Sequence, residues 1–184
     1  MTEKQLYFIA LVPPEPIYSE VSELKNLLAR EYGSKAGLRS PPHITLHMPF
    51  KNKVEKELDL KRCISDLAKN AAPFTLSLNG FGHFSERVIY INVDGQDELT
   101  SLFYSIADVM KKQFNVFNSD YKNRGFNPHM TIAFRDLKKH AFQKAWPEFE
   151  HKPFNEQFMV SSLCLLKHNG KSWDEFYTAK FNSY

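Results

Sequence analysis

The sequence is short of the features that mark several common kinds of protein. It has 2 cysteines in 184 residues, Cys63 and Cys164, and neither sits in a C-x-x-C pair. A disulfide framework is therefore excluded, and a cysteine-based zinc site has no basis. Both thiols are expected to be reduced packing residues of a cytoplasmic protein. Glycine is scarce, at 7 residues, and no low-complexity segment occurs, so a collagen-like or disordered chain does not fit. The N-terminal apolar run, Leu6–Val12, is too short to cross a membrane, and its flanks are wrong for a signal peptide. No other apolar run approaches membrane length. The net charge of +3 excludes a histone-like or polybasic protein, though it is compatible with a phosphate-bearing partner.

What is present is a globular composition. Apolar residues make up 42%, charged residues 24% and aromatics 14%, with Phe 16 and Tyr 8. A chain of this length buries roughly 70% of its unfolded surface and needs neither disulfide nor metal to fold. One domain, or one domain of two lobes, is expected.

The patterning alternates between strands and helices. Leu6–Val12 reads as a buried strand that Pro13-Pro14 ends, and Ile17, Val21, Leu24, Leu27 and Leu28 follow at helical spacing until Gly33. A basic loop (Lys35, Arg39) leads into Pro41-Pro42-His43-Ile44-Thr45-Leu46, a predicted strand. Leu60, Ile64, Leu67 and Ala68 mark a second helix. Phe74, Leu76 and Leu78 alternate with polar residues as a half-buried strand. A hairpin tip at His83–Glu86 returns through Val88–Val93. Leu99, Leu102, Phe103, Ile106 and Met110 make the strongest helical stripe. A second basic loop (Lys122, Arg124) leads into Pro128-His129-Met130-Thr131-Ile132. A short helix near Lys138–Trp146 follows, then strands near Phe158–Lys167 and Trp173–Phe181 around an Asn169-Gly170 turn.

Strand, helix, basic loop, motif strand and helix thus occur twice, with the second motif 86 residues after the first (His43 to His129). This predicts a single bilobal domain over 1–184 with an internal repeat of approximately 1–84 and 85–184. The expected fold class is α+β. Two pseudo-symmetric lobes, each a small mainly antiparallel sheet with flanking helices, would bring their motif strands face to face across an active-site cleft.

The motif Pro-His-apolar-Thr-apolar is rare in a chain with 10 Pro and 7 His. Roughly 0.002 chance matches are expected from composition, so the pair carries the signal. On a strand, positions i and i+2 share a face. His43 then lies beside Thr45, and His129 beside Thr131. Two imidazoles suit in-line displacement at phosphorus, which needs a base on the attacking oxygen and an acid on the leaving oxygen. Two short hydroxyl donors suit the non-bridging oxygens. No metal is required.

These two H-x-T motifs, with the opening LYFIALVPP strand and the late strand pair around Trp173, resemble the 2H phosphoesterase superfamily, nearest its 2′-5′ RNA ligase or cyclic phosphodiesterase-like branch. The resemblance spans nearly the whole chain. It implies a bilobal α+β fold and metal-independent hydrolysis or formation of 2′-linked phosphodiesters. It also implies His43 and His129 as the acid/base pair, in an order the sequence leaves open, with Thr45 and Thr131 as phosphate-oxygen donors. The implied partner is an RNA end or a small cyclic nucleotide bearing a 2′,3′-cyclic phosphate. No cofactor, no membrane and a monomeric state are expected.

Further candidates surround the motifs. Arg39 and Arg124 are the better phosphate ligands among the loop cations, because guanidinium binds bidentately. Phe50 and Phe134 near the strand ends, and Phe84 at the hairpin tip, are candidates for stacking on a base. His47 is expected on the face of His43 and Thr45, where it either touches substrate or hydrogen-bonds beyond the cleft. Two competing functions remain at this level. One is a non-catalytic RNA-binding module, which the paired histidines disfavour. The other is a zinc hydrolase built on His43, His47 and His129.

Overall fold

The computed structural model describes residues 3–118 and 125–182. Its strands are β1 (Lys4–Leu11), β2 (Ile44–Lys53), β3 (Phe74–Phe84), β4 (Val88–Val93), β5 (His129–Ala133), β6 (Asn155–Val160), β7 (Ser162–His168) and β8 (Trp173–Lys180). The helices are α1 (Ile17–Tyr32), α2 (Glu57–Lys69), α3 (Asp97–Phe114) and α4 (Lys139–Phe149). The fold is α+β, as the patterning predicts.

The helices follow their apolar stripes. α1 buries Ile17, Val21, Leu28 and Ala29, and stops at Gly33, whose φ of 74° is the left-handed conformation that glycine adopts without strain. Its stripe also takes in a charged residue, Lys25, in place of the expected Leu24 and Leu27, which are only partly buried. α3 buries Leu99, Leu102, Phe103, Ile106 and Met110. All four helices share one core with the strand residues on their side, including Tyr7, Ile9, Leu11, Ile44, Leu46, Met130 and Ile132. A smaller cluster of Phe8, Ala10, Cys164 and Leu166 lies on the other face of β1 and β7.

The strands form one antiparallel sheet in the order β6-β3-β4-β5-β2-β1-β7-β8. The motif strands β2 and β5 lie in the middle, side by side, and share one residue pair, Ile44 with Met130. The lobes thus meet edge to edge rather than face to face. Each contributes four strands, β6-β3-β4-β5 and β2-β1-β7-β8. The sheet's division does not follow a division of the chain at residue 84: β3 belongs with β4 and β5, while β7 and β8 return to β1. The late strand expected over Phe158–Lys167 is two strands, broken at Ser161. β6 forms one edge of the sheet and β7 lies next to the other, so a one-residue link requires the sheet to curl its ends together.

One shared pair is little to hold two lobes, and side chains supply the rest. The Asp136 carboxylate, just after β5, accepts the backbone N–H groups of Lys35 and Ala36 at 2.7 Å each and the Ser34 hydroxyl at 3.1 Å. The buried Ser34 Oγ in turn accepts the Phe134 N–H. Gly37 packs so close that a Cβ there would stand 3.1 Å from the Ile132 carbonyl oxygen. On the other side, Asn118 accepts the Met48 N–H and donates to the Leu46 carbonyl. Each loop that follows a lobe's first helix therefore satisfies backbone groups of the opposite motif strand, where β2 and β5 no longer pair.

Candidate active site

Both motif histidines are set by the same local device. His43 Nδ1 donates to the Pro41 carbonyl at 2.7 Å, and His129 Nδ1 donates to the Asn127 carbonyl at 2.8 Å. A carbonyl only accepts, so each neutral ring carries its proton on Nδ1 and presents a bare Nε2. The proline between acceptor and histidine, Pro42 or Pro128, explains the placement. It disfavours helical backbone at the preceding residue, leaving that residue extended with its carbonyl aimed at the ring.

The register then gathers the motif. With Ile44 opposite Met130 in an antiparallel pair, His43 stands across from Thr131 and Thr45 from His129. Ile44, Leu46, Met130 and Ile132 are fully buried on the helix side. The two histidines and two threonines are half-buried on the other face. Among the described residues, neither threonine hydroxyl is taken up by a protein hydrogen bond.

Aromatic rings wall each imidazole. His43 lies 4.8 Å from the Phe8 ring, which meets Trp173 edge-on at 4.7 Å. His129 lies 4.8 Å from Phe84 and 5.2 Å from Tyr90. Tyr90 gets its space from Gly82 on the neighbouring strand, where a Cβ would stand 2.6 Å from the tyrosine ring. Desolvation in these surroundings lowers both histidines. His43 is pushed down to about 4 by burial, with the positive charges of Lys25 and His129 adding to the effect. His129 is lowered by burial, against its bond to Asn127. The neutral, bare-Nε2 form therefore prevails in both at neutral pH.

The remaining candidates divide. Phe84 is exposed beside His129, and Arg39 is exposed on the wall of a cavity of about 500 Å³ shared with Lys25, Ser40, Pro41, Pro42 and Trp173. Phe134 is exposed too, but its ring lies under the Arg135 guanidinium. Phe50 is a core residue, packed on Tyr7 at 6.0 Å, and is not available to a base. Arg124 lies outside the described residues.

His47 is not on the face of His43 and Thr45. The β1–β2 register slips between Thr45, opposite Ala10, and His47, opposite Ile9. This bulge turns His47 to the helix side, where it is 1% exposed, packs edge-on against Phe50 and bonds the Met48 carbonyl. The zinc set of His43, His47 and His129 is therefore not assembled. Among the described residues no three His, Cys, Asp or Glu side chains group to hold a metal. Also among them, no helix is long and apolar enough to cross a membrane.

Sequence reasoning missed the carbonyl acceptors, the Phe8–Trp173 and Tyr90 walls, and Lys25. A signal existed for the last: a lysine at a helical core position. The His47 bulge had none, because alternation cannot show a slip of register.

The sequence model of the 2′-5′ RNA ligase superfamily matches residues 13–172, and the chain belongs to that superfamily. Relatives include a "putative phosphoesterase" of Oceanobacillus iheyensis, 26% identical over 175 residues, covering 94% of this chain and 95% of that one. Another of the same name, from Bacillus mycoides, is 30% identical over 148 residues, covering 79% and 81%. Among solved structures, Escherichia coli LigT complexed with 3′-AMP superposes with a TM-score of 0.70 at 21% identity, covering 98% of this chain and all of that one. A Thermus thermophilus protein gives 0.69 at 19% identity, covering 96% and 97%. The fold is thus that of LigT-like 2H phosphoesterases, and the family and its members' names indicate a phosphoesterase.

Proposed function

We propose that this protein hydrolyses 2′,3′-cyclic phosphodiesters, at RNA 3′ ends or in small cyclic nucleotides, without a metal. The observation that carries the reading is the matched pair of imidazoles on one face. Each is held through Nδ1, each presents Nε2, and each stands across from a threonine hydroxyl. One histidine takes the proton of the attacking water on its bare Nε2, and the other, in its imidazolium form, gives its Nε2 proton to the leaving ribose oxygen. Thr45 and Thr131 donate to the non-bridging oxygens, where charge grows in the transition state. With a 5′-hydroxyl in place of the attacking water, the same groups open the cyclic phosphate to form a 2′-5′ linkage and free the 3′-hydroxyl, and by microscopic reversibility they also cleave that linkage with their roles exchanged. The 3′-AMP bound by LigT supports a nucleotide-sized ligand here. Phe84, exposed beside His129, stacks on its base, and Arg39 on the cavity wall meets a further phosphate; Arg124, the other expected phosphate ligand, lies outside the described residues. The whole chain works as one bilobal domain with an internal repeat, as a cytoplasmic monomer.

The test is turnover of nucleoside 2′,3′-cyclic phosphates, and of a short RNA with a cyclic end, with EDTA present throughout. The expected result is hydrolysis in EDTA, lost by a factor of about 10²–10⁴ in folded His43→Ala and His129→Ala variants. Undiminished turnover in either variant would overturn the assignment, and activity that needs added zinc would overturn the metal-free mechanism.

A further inference from the structure

α1 carries a lysine where its stripe should be apolar. Lys25 is 3% exposed, and its Nζ donates to the Ser40 carbonyl at 2.8 Å. Among the described residues no carboxylate pairs with it. A buried ammonium without a counter-charge destabilises a fold, so packing gives no reason for it. The matching helix of the other lobe, α3, buries only apolar side chains.

Its position gives the reason. The next carbonyl along, that of Pro41, receives the His43 Nδ1–H at 2.7 Å. Lys25 therefore grips the peptide one residue before the acceptor that orients His43. Asn127 plays the part of Pro41 for His129, but α3 sends no cation behind it. Among the described residues, the two histidines, alike in tautomer and in register, differ in this support.

We propose that Lys25 is a positioning residue that makes His43 the proton acceptor of the pair, by holding the Ser40–Pro41 segment against the imidazole and keeping a fixed positive charge behind the ring. This rests on the phosphodiesterase reading above and deepens it. Water attacks phosphorus as its proton passes to His43 Nε2. The bond from phosphorus to the leaving ribose oxygen breaks as that oxygen takes the Nε2 proton of His129, which acts from its minor imidazolium form and returns to the neutral, Nδ1-protonated ring. One water is consumed, and proton exchange with solvent resets both rings.

The electrostatics agree. Among the described residues, the charged and titratable groups that act on His43 are Lys25 from α1 and His129 from β5, and both disfavour its imidazolium. His129 is lowered by burial against its bond to Asn127, and Lys25 is not among the described groups that shift it. Lys25 is itself pushed down to about 8 by burial, so most of it is charged at neutral pH.

The experiment measures kcat/KM against pH for a nucleoside 2′,3′-cyclic phosphate in the full chain, Lys25→Met and Lys25→Gln, with His43→Ala as control. Lys25→Met fills the same space without charge. Lys25→Gln keeps a donor for the Ser40 carbonyl and guards against failure of the first variant to fold. Both are expected to lose about tenfold or more at pH 7, and the acidic limb of the profile should move up by about one pH unit as His43 protonates more readily. A shift of the alkaline limb instead would make His43 the acid and overturn the proposal. So would a wild-type rate and profile in a folded variant. Turnover that survives in His43→Ala would sink the parent reading, whereas a dead His43→Ala beside unaltered Lys25 variants would sink this proposal alone.

Discussion

At the scale of single residues, the carbonyls of Pro41 and Asn127 decide which nitrogen each imidazole presents, and the threonines across the strand pair supply what the rings cannot. A hydroxyl held by a β-branched side chain donates without reorganising, and a valine of the same shape cannot donate at all. Thr45→Val and Thr131→Val are expected to fold as the parent does and to lower kcat by about 10–10³-fold each, with a smaller change in KM. Steady-state kinetics on a cyclic nucleotide checks this, and a change in KM alone would deny them a role in the transition state. The His-x-Thr pairs themselves were legible in the sequence, because strand alternation puts i and i+2 on one face. The walls around them were not. Phe8, Trp173, Tyr90 and Phe84 come from four different strands or strand ends, and only the register of the sheet brings them to the rings.

At the scale of elements, most strands and helices could be read from periodicity, since each buries one face. Bulges and breaks could not. His47 looks like a third cleft histidine until the slip opposite Ile9 turns it into the core, and Ser161 splits an apolar run that reads as continuous. The junction of β2 and β5 was equally hidden. It depends on Asp136, an exposed acid with no pattern to single it out, which takes three hydrogen bonds from the loop before the first motif. Asp136→Ala should leave those donors short of a partner and cost about 1–3 kcal/mol in urea unfolding. Because the loop it anchors runs into Pro41 and His43, turnover should fall as well, while the distant Glu57–Lys167 pair at β7 should be indifferent to the change. Urea midpoints with unchanged slope would report this; an unaltered midpoint would show that the shared pair and the helices suffice.

At the scale of the molecule, burying histidines ties stability to pH. His43, His47 and His129 are all lowered by burial in the folded protein, His43 to about 4. Unfolded, each returns to about 6.5. The stabilisation is therefore complete above about pH 6.5. Below it the unfolded chain binds protons that the folded one refuses, so stability falls as pH drops towards about 4. Urea midpoints should fall from pH 7 to pH 5, and His43→Gln should flatten that slope. A slope equal to the parent's would mean that other groups, chiefly carboxylates, set it. The pairing of lobes was visible in the repeated motif, but not the way the chain is shared between them, because alternation says nothing of which strands neighbour one another.

That sharing has a consequence for how the protein is made. β1 finds one neighbour early, in β2, but its other edge waits for β7, after every helix and most strands have left the ribosome. At about 5–20 residues per second, the Tyr7–Ala10 edge stays open for many seconds of synthesis. An open strand edge invites pairing with other chains. The first lobe is thus completed by strands translated after all those of the second, and a nascent chain stopped before β7 is left with an unfinished first lobe and half of its prospective reaction centre unsupported.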